Sequence, residues 1–243
     1  MALTADFCDG AVRLVLLGTL VVVYFGVVAL GVSFLRLQMF GPSVCRARTA
    51  RPQVALTFDD GPDPASTPSL LARLKELDIC ACFFCTGARA QAHPGLIRQM
   101  ASDGHEVENH SFQHSRWTNF FGTRRLRDDV RRAQEQLAEL TGHAPAFFRP
   151  PMGLTNPRVF RVADELGLTV VGWTARGLDT RPATPEQVVR RILRRTGPGA
   201  ILLLHDGGQP PGQLIRTVEM LVDKLRAAGY EVVRLDRMLA SGE

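Results

Sequence analysis

Two carboxylates side by side, Asp59 and Asp60, end an apolar run at residues 54–58, and Gly61-Pro62 turns the chain immediately afterwards. The run reads as a buried strand. The acids are therefore delivered to a strand's carboxyl end at a turn, where α/β folds collect their chemistry. Neighbouring strand residues point to opposite sides, so the two can hold separate roles. Two histidines four apart, His110 and His114, follow another short strand. On a helical turn that spacing puts both rings on one face, able to chelate one metal ion, and Asp59 or Asp60 would complete a three-ligand set. Two imidazoles and a carboxylate leave a fourth position for water, the catalytic form of a zinc site, and a second carboxylate beside it could take a proton. A third histidine, His205, follows the apolar run 200–204. Taken singly, these are an acidic turn, a surface histidine pair and a core histidine; together they form a set.

The elements that must hold this set alternate along the chain. Strands are expected at 54–59, 80–85, 105–108, 147–148, 168–173, 200–204 and 231–235. Helices are expected at 68–77, 95–102, 124–140, 156–166, 185–195 and 213–228. Thr184 is placed to cap the helix that follows it, and Gly229 to end the one before it. The long helix carries Leu126, Val130, Ala133, Leu137 and Leu140 on one face and an arginine-rich, solvated face opposite. Strands alternating with helices predict a parallel sheet or barrel, and in a barrel the carboxyl ends of the strands share one rim.

The 243 residues, 45% hydrophobic and 22% charged, suit one globular domain behind an N-terminal segment. A charge of +5 without a basic-aromatic platform or zinc-finger spacing excludes a nucleic-acid partner. Residues 14–35 carry no charge and are long enough to cross a bilayer, which divides the chain into a 1–13 tail, a 14–35 transmembrane anchor, a basic 36–52 linker and a 53–240 domain. Arg36, Arg46, Arg48 and Arg51 after the span, with Asp6, Asp9 and Arg13 before it, favour a cytoplasmic domain. Cys80, Cys82 and Cys85 lack a zinc-ribbon spacing and read as small buried hydrophobes.

Five segments in order, TFDDGP at 57–62, HSFQH at 110–114, RPPMG at 149–153, WTARGLD at 173–179 and LLLH at 202–205, resemble the polysaccharide deacetylases, the NodB-homology group of carbohydrate esterases. The resemblance covers about residues 52–240. It implies a distorted (β/α) barrel, here behind one transmembrane helix, and a metal-dependent deacetylase of acylated sugars. It further implies Asp59 as general base, and Asp60, His110 and His114 as ligands of one divalent metal ion, Zn²⁺ being the expected species. By the same resemblance Arg149 orients the base, the Met152 N–H supports the oxyanion, His205 is the general acid and Asp179 tunes it. Leu203 would line the acetyl pocket, with Pro151 and Trp173 also contacting substrate.

Where the family usually has an aromatic after the paired prolines, this chain has Met152. Where it usually has an aspartate early in the fourth motif and an aromatic at its end, this chain has Arg176 and Thr180. Fewer groove aromatics and added positive charge shift the expected partner from a long polysaccharide towards a short or lipid-linked glycan bearing phosphate or carboxylate, met at the bilayer. The competing expectations are a deformylase or deacetylase of a lipid-linked sugar, and a catalytically idle carbohydrate-binding protein. The family favours an extracytoplasmic domain, against the flanking charges.

Overall fold

The computed structural model describes residues 2–208 and 210–241, with the side chains of residues 2–11, Asp6, Cys8 and Asp9 among them, outside that description. A parallel sheet is built from β1 (Gln53–Asp59), β2 (Cys82–Cys85), β3 (Glu106–Asn109), β4 (Phe147–Phe148), β5 (Thr169–Val170), β6 (Ala175–Arg176), β7 (Ala200–His205) and β8 (Glu231–Val232). The strand order is β5-β4-β3-β2-β1-β7-β6, with β8 added on β1. This is a curled half-barrel. β1 lies at its centre and is buried along nearly its whole length, so an unbroken apolar run was its mark rather than an alternating one.

The helices are α1 (Ala2–Ser33), α2 (Thr67–Glu76), α3 (Gly87–Ala92), α4 (Pro94–Ser102), α5 (Thr123–Thr141), α6 (Pro157–Glu165), α7 (Pro185–Leu193), α8 (Pro211–Ala227) and α9 (Leu235–Ala240). The five apolar residues expected on one face of α5 are all buried. Thr184 caps α7 in a reciprocal capping box with Gln187. Helices α3 and α9 were not expected. The run GARAQA of α3 has no apolar periodicity. The first turn of α9 is held from afar, the Glu106 carboxylate accepting the N–H groups of Leu235 and Asp236. No local pattern encodes such a cap, so 231–235 reads as one strand when it is two strand residues entering a helix.

The N-terminal region differs from its expected division. Helix α1 takes in residues read as a tail, and its stretch long and apolar enough to cross a membrane is Val12–Ser33, two residues earlier than expected. Phe34 is extended and Leu35 turns inward, 6% exposed, among Phe148, Leu168 and Val170. Residues 36–52 are not a free linker. Val44 bridges Val171 in parallel and Arg46 bridges Ala200 antiparallel. The Val44 N–H donates to Val170, the Gly172 N–H to Val44 and the Ala47 N–H to Gly199. This segment spans the gap that the half-barrel leaves between the β5 and β7 sides. The end of α1 is docked too, the Thr155 N–H and hydroxyl donating to the carbonyls of Val32 and Gly31.

Removing the bridging segment should therefore destabilise the domain. Its backbone hydrogen bonds contribute about 1 kcal/mol each, and burial of Leu35 contributes ~1.5–3 kcal/mol. At ~2–4 °C per kcal/mol for a domain of this size, a chain starting at Arg48 should melt roughly 10 °C below one starting at Phe34. Equal melting temperatures by calorimetry would show the segment to be a passive tether.

Candidate active site

The rim of the half-barrel at the carboxyl ends of β1, β3, β4 and β7 gathers the residues with chemistry. β1 and β7 pair in register so that Asp59 stands directly opposite His205. β3 ends at Asn109, and His110 follows it. β4 ends at Phe148, and Arg149 follows it.

Arg149 is wholly buried. Its Nη1 donates to Asp59 Oδ1 at 2.5 Å and to Thr57 Oγ1 at 2.9 Å, its Nη2 to the Gly172 carbonyl at 2.9 Å and its Nε to the Val171 carbonyl at 3.4 Å. The guanidinium lies 3.9 Å over the Phe84 ring. Asp59 is 4% exposed, and its other oxygen lies 3.9 Å from His110 Nε2. The carboxylate is thus ion-paired on one side and open to the site on the other.

Asp60 leaves the strand at φ 74°, in the left-handed region, and so turns away from its neighbour. Its Oδ1 lies 3.4 Å from His110 Nε2 and 3.2 Å from His114 Nε2. The expected helical turn at 110–114 is absent. The segment is a loop with Ser111 and His114 at φ 65° and 47°, and it brings the rings to 4.8 Å, as close as a helix would. The His110 Nδ1–H donates to the Arg149 carbonyl at 2.6 Å, so Nε2 presents a lone pair. Burial and the neighbouring His110 lower the His114 pKa, which keeps that ring neutral. Burial alone would raise Asp60; when the rings are protonated, the hydrogen bond and charge of His110, with the charges of His114 and His205, hold it below the usual carboxylate range. One ligand atom from each of Asp60, His110 and His114 fits within 4.8 Å. Lone pairs converging so closely repel each other unless a cation lies among them. The donor set fits a divalent metal ion.

His205 is gripped by Asp179, whose oxygens accept its backbone N–H at 2.8 Å and its Nδ1–H at 3.0 Å. Burial opposes the imidazolium, yet the hydrogen bond and charge of Asp179 raise the His205 pKa overall. Met152 stands at φ 58° on the turn Pro151–Gly153. Its backbone N–H makes no hydrogen bond among the described residues, and its side chain is 46% exposed. Pro151 is buried beneath it, and Trp173 lies against Gly153, where a Cβ would come within 2.3 Å of the indole. Leu203 is buried on β7 opposite Thr57. The two acids, three histidines, Arg149 and Asp179 are brought together by contact or register. Met152, Leu203, Pro151 and Trp173 lie around them without a polar contact to the centre.

Three supports escaped sequence reading. Asp129, on the α5 face taken as solvated, accepts the N–H groups of Phe112 and Gln113 and so braces the histidine loop. Asn109 ties that loop down at Ser111 and to the Val130 carbonyl. Asp206 accepts Ser66 and Thr67 hydroxyls while its own N–H donates to the Asp59 carbonyl. Gly61 must be glycine, because a Cβ there would lie 2.7 Å from the Asp206 carboxylate. Asp206 beside His205 was a legible signal; Asp129 had none.

A model of the polysaccharide deacetylase family matches residues 46–171. The peptidoglycan-N-acetylglucosamine deacetylase PgdA of Listeria monocytogenes is 32% identical over 197 residues, which cover 81% of this chain and 41% of that protein. The present chain therefore spans less than half of that relative's length. A chitooligosaccharide deacetylase of Sinorhizobium fredii is 36% identical over 187 residues, covering 76% of this chain and 86% of that one. Among solved structures, the Bc1960 peptidoglycan N-acetylglucosamine deacetylase superposes with a TM-score of 0.77 at 27% identity, covering 82% of this chain and 92% of that one.

The Arg149–Asp59 pair should be strongly coupled. Arg149→Leu leaves a buried carboxylate without its partner and should cost ~3–5 kcal/mol in urea unfolding, with Asp59→Asn in the same chain recovering much of it. A single-variant loss under ~1 kcal/mol would mean that Asp59 finds another partner.

Proposed function

Since the chain belongs to the polysaccharide deacetylase family, we propose that it is a membrane-held, metal-dependent hydrolase that removes the N-acetyl group from an acylated amino sugar. The observation that carries this is the registered pair Asp59 and His205, each already held by its own partner, beside a three-ligand cluster. A base, an acid and an electrophile site within one rim are what amide hydrolysis needs.

Asp60, His110 and His114 would hold the metal ion, Zn²⁺ by the preference of that donor set. The ion supplies Lewis acidity and brings the pKa of a coordinated water towards ~7. Asp59 accepts the proton of the attacking water on the oxygen that Arg149 does not engage. Arg149 fixes the rotamer of that carboxylate. The Met152 N–H donates to the oxyanion as it forms. His205, with Nδ1–H committed to Asp179, delivers its proton from Nε2 to the departing amine. Leu203, Pro151 and Trp173 surround the acetyl group and sugar. Helix α1 anchors the domain to the bilayer, and its docked carboxyl end holds the rim close to the lipid surface. The substrate class follows the relatives, N-acetylglucosamine-containing glycans, and Met152, Arg176 and Thr180 in place of groove residues favour short acceptors over long ones.

Acetate release from N-acetylglucosamine oligomers and metal content test this reading together. His110→Ala should lose both the metal and turnover. Asp59→Asn should keep the metal and lose ~10²–10⁴-fold in kcat. Full turnover by the metal-stripped His110→Ala protein would sink the proposal.

The pH profile tests the acid. His205 donates only while protonated, so turnover falls as pH rises through its pKa, which Asp179 raises against the effect of burial. Asp179→Asn removes the raising carboxylate and leaves the burial, so the basic limb of kcat/KM should move to lower pH. An unmoved limb would assign that limb to another group.

A further inference from the structure

Between the carboxyl end of α1 and the catalytic rim lies a cleft of about 110 Å³. Three arginines line it: Arg36 from the turn after the helix, Arg176 from β6 and Arg195 from the end of α7. No carboxylate lines it. Among the described residues none of the three makes an ion pair, although Arg73, Arg89, Arg127, Arg131, Arg216 and Arg234 all do. Two of them lie near aromatic faces instead, Arg36 at 5.9 Å from the Phe34 ring and Arg176 at 5.8 Å from Trp173. Three guanidinium groups around one small cleft repel each other, and an anion relieves that repulsion. The planar fork of arginine matches the oxygens of a phosphate.

The place of the cleft says what the phosphate is attached to. One wall, Trp173, is shared with the catalytic rim through its contact with Gly153, and Gly172 beside it accepts Arg149. The opposite wall is the end of α1, held in place by Thr155 on the carbonyls of Gly31 and Val32, which also occupies two of the helix-end acceptors that would oppose an anion. Next to the cleft, Leu30 on α1 and Phe34 just after it are exposed, the start of an apolar surface that continues along the helix. An anion seated here can carry an apolar chain along that surface. We propose that this cleft binds the phosphate of a membrane amphiphile, either the phosphate of the substrate's own lipid carrier or the headgroup of an anionic phospholipid. The inference rests on the membrane anchorage proposed above and not on deacetylation.

The chain has two tryptophans, so Trp117→Phe leaves Trp173 as the sole reporter. The full chain with this change, in neutral detergent micelles, is titrated with dodecyl phosphate, with inorganic phosphate and with a neutral dodecyl glycoside. Dodecyl phosphate should shift Trp173 emission saturably. Arg36→Gln, Arg176→Gln and Arg195→Gln together should weaken its binding about tenfold or more, and the corresponding three lysines should retain most of it. The three arginines are exposed, and an unchanged melting temperature will show that the variant is folded. Competition by dodecyl phosphate against an acetylated sugar identifies the substrate's carrier; saturable binding without competition identifies a phospholipid headgroup. The same Trp173 response to the neutral glycoside, or undiminished binding in the glutamine variant, overturns the site. Equal affinity for inorganic phosphate overturns the amphiphile. Should no sugar release acetate, the deacetylase reading fails while the Trp173 titration still decides this one.

Discussion

The buried pair of Arg149 and Asp59 is the constraint around which the rim is arranged. Taking both charges out of water is costly, and a buried ion pair adds little net stability over an apolar replacement. Its effect is to impose geometry. The guanidinium can be satisfied only where Thr57, Asp59, Val171 and Gly172 all present oxygens, so β1 and the chain leaving β5 must stand at one separation. The carbonyl of the same residue receives the Nδ1–H of His110. One side chain and its own backbone thereby set the Asp59 carboxylate, the orientation of the His110 ring and the wall that carries Trp173.

The support for the other groups follows the same pattern of one buried polar residue holding several backbone atoms. Asp129 and Asn109 hold a loop whose left-handed residues would not stay in place alone. Asp179 accepts both a ring N–H and a backbone N–H of His205, which fixes the tautomer and the rotation of the ring together. At the opposite end of the sheet Glu106 and Glu108 do the equivalent for α9 and for the start of β4, at the expense of burial that raises their pKa values to about 7 and about 8.

The segment after α1 makes the half-barrel and the apolar helix one unit. Val44 and Arg46 occupy the opening of the sheet, and Leu35 enters the core beside β4 and β5. An extended 36–52 tether would leave the domain free to move relative to α1. The docked one gives the rim a set position next to the helix end, and it creates the arginine cleft, whose walls come from both.

Much of this was legible in sequence because it depends on short-range physics. Strand and helix order follow from apolar period, the α7 cap from Thr184, and the rim position of Asp59, His110, Arg149 and His205 from a polar residue directly after a buried strand. The division of labour between Asp59 and Asp60 was left open by alternation alone. Tertiary structure gives them different surroundings, with Arg149 against one and two imidazoles against the other. Only the fold set β7 beside β1, so that Asp59 and His205, far apart in the chain, face each other. The left-handed turns at Asp60, Ser111, His114 and Met152, the remote cap on α9 and the capture of residues 36–52 were equally hidden. Each is held by a partner distant in sequence, and neither local propensity nor periodicity carries information about such a partner.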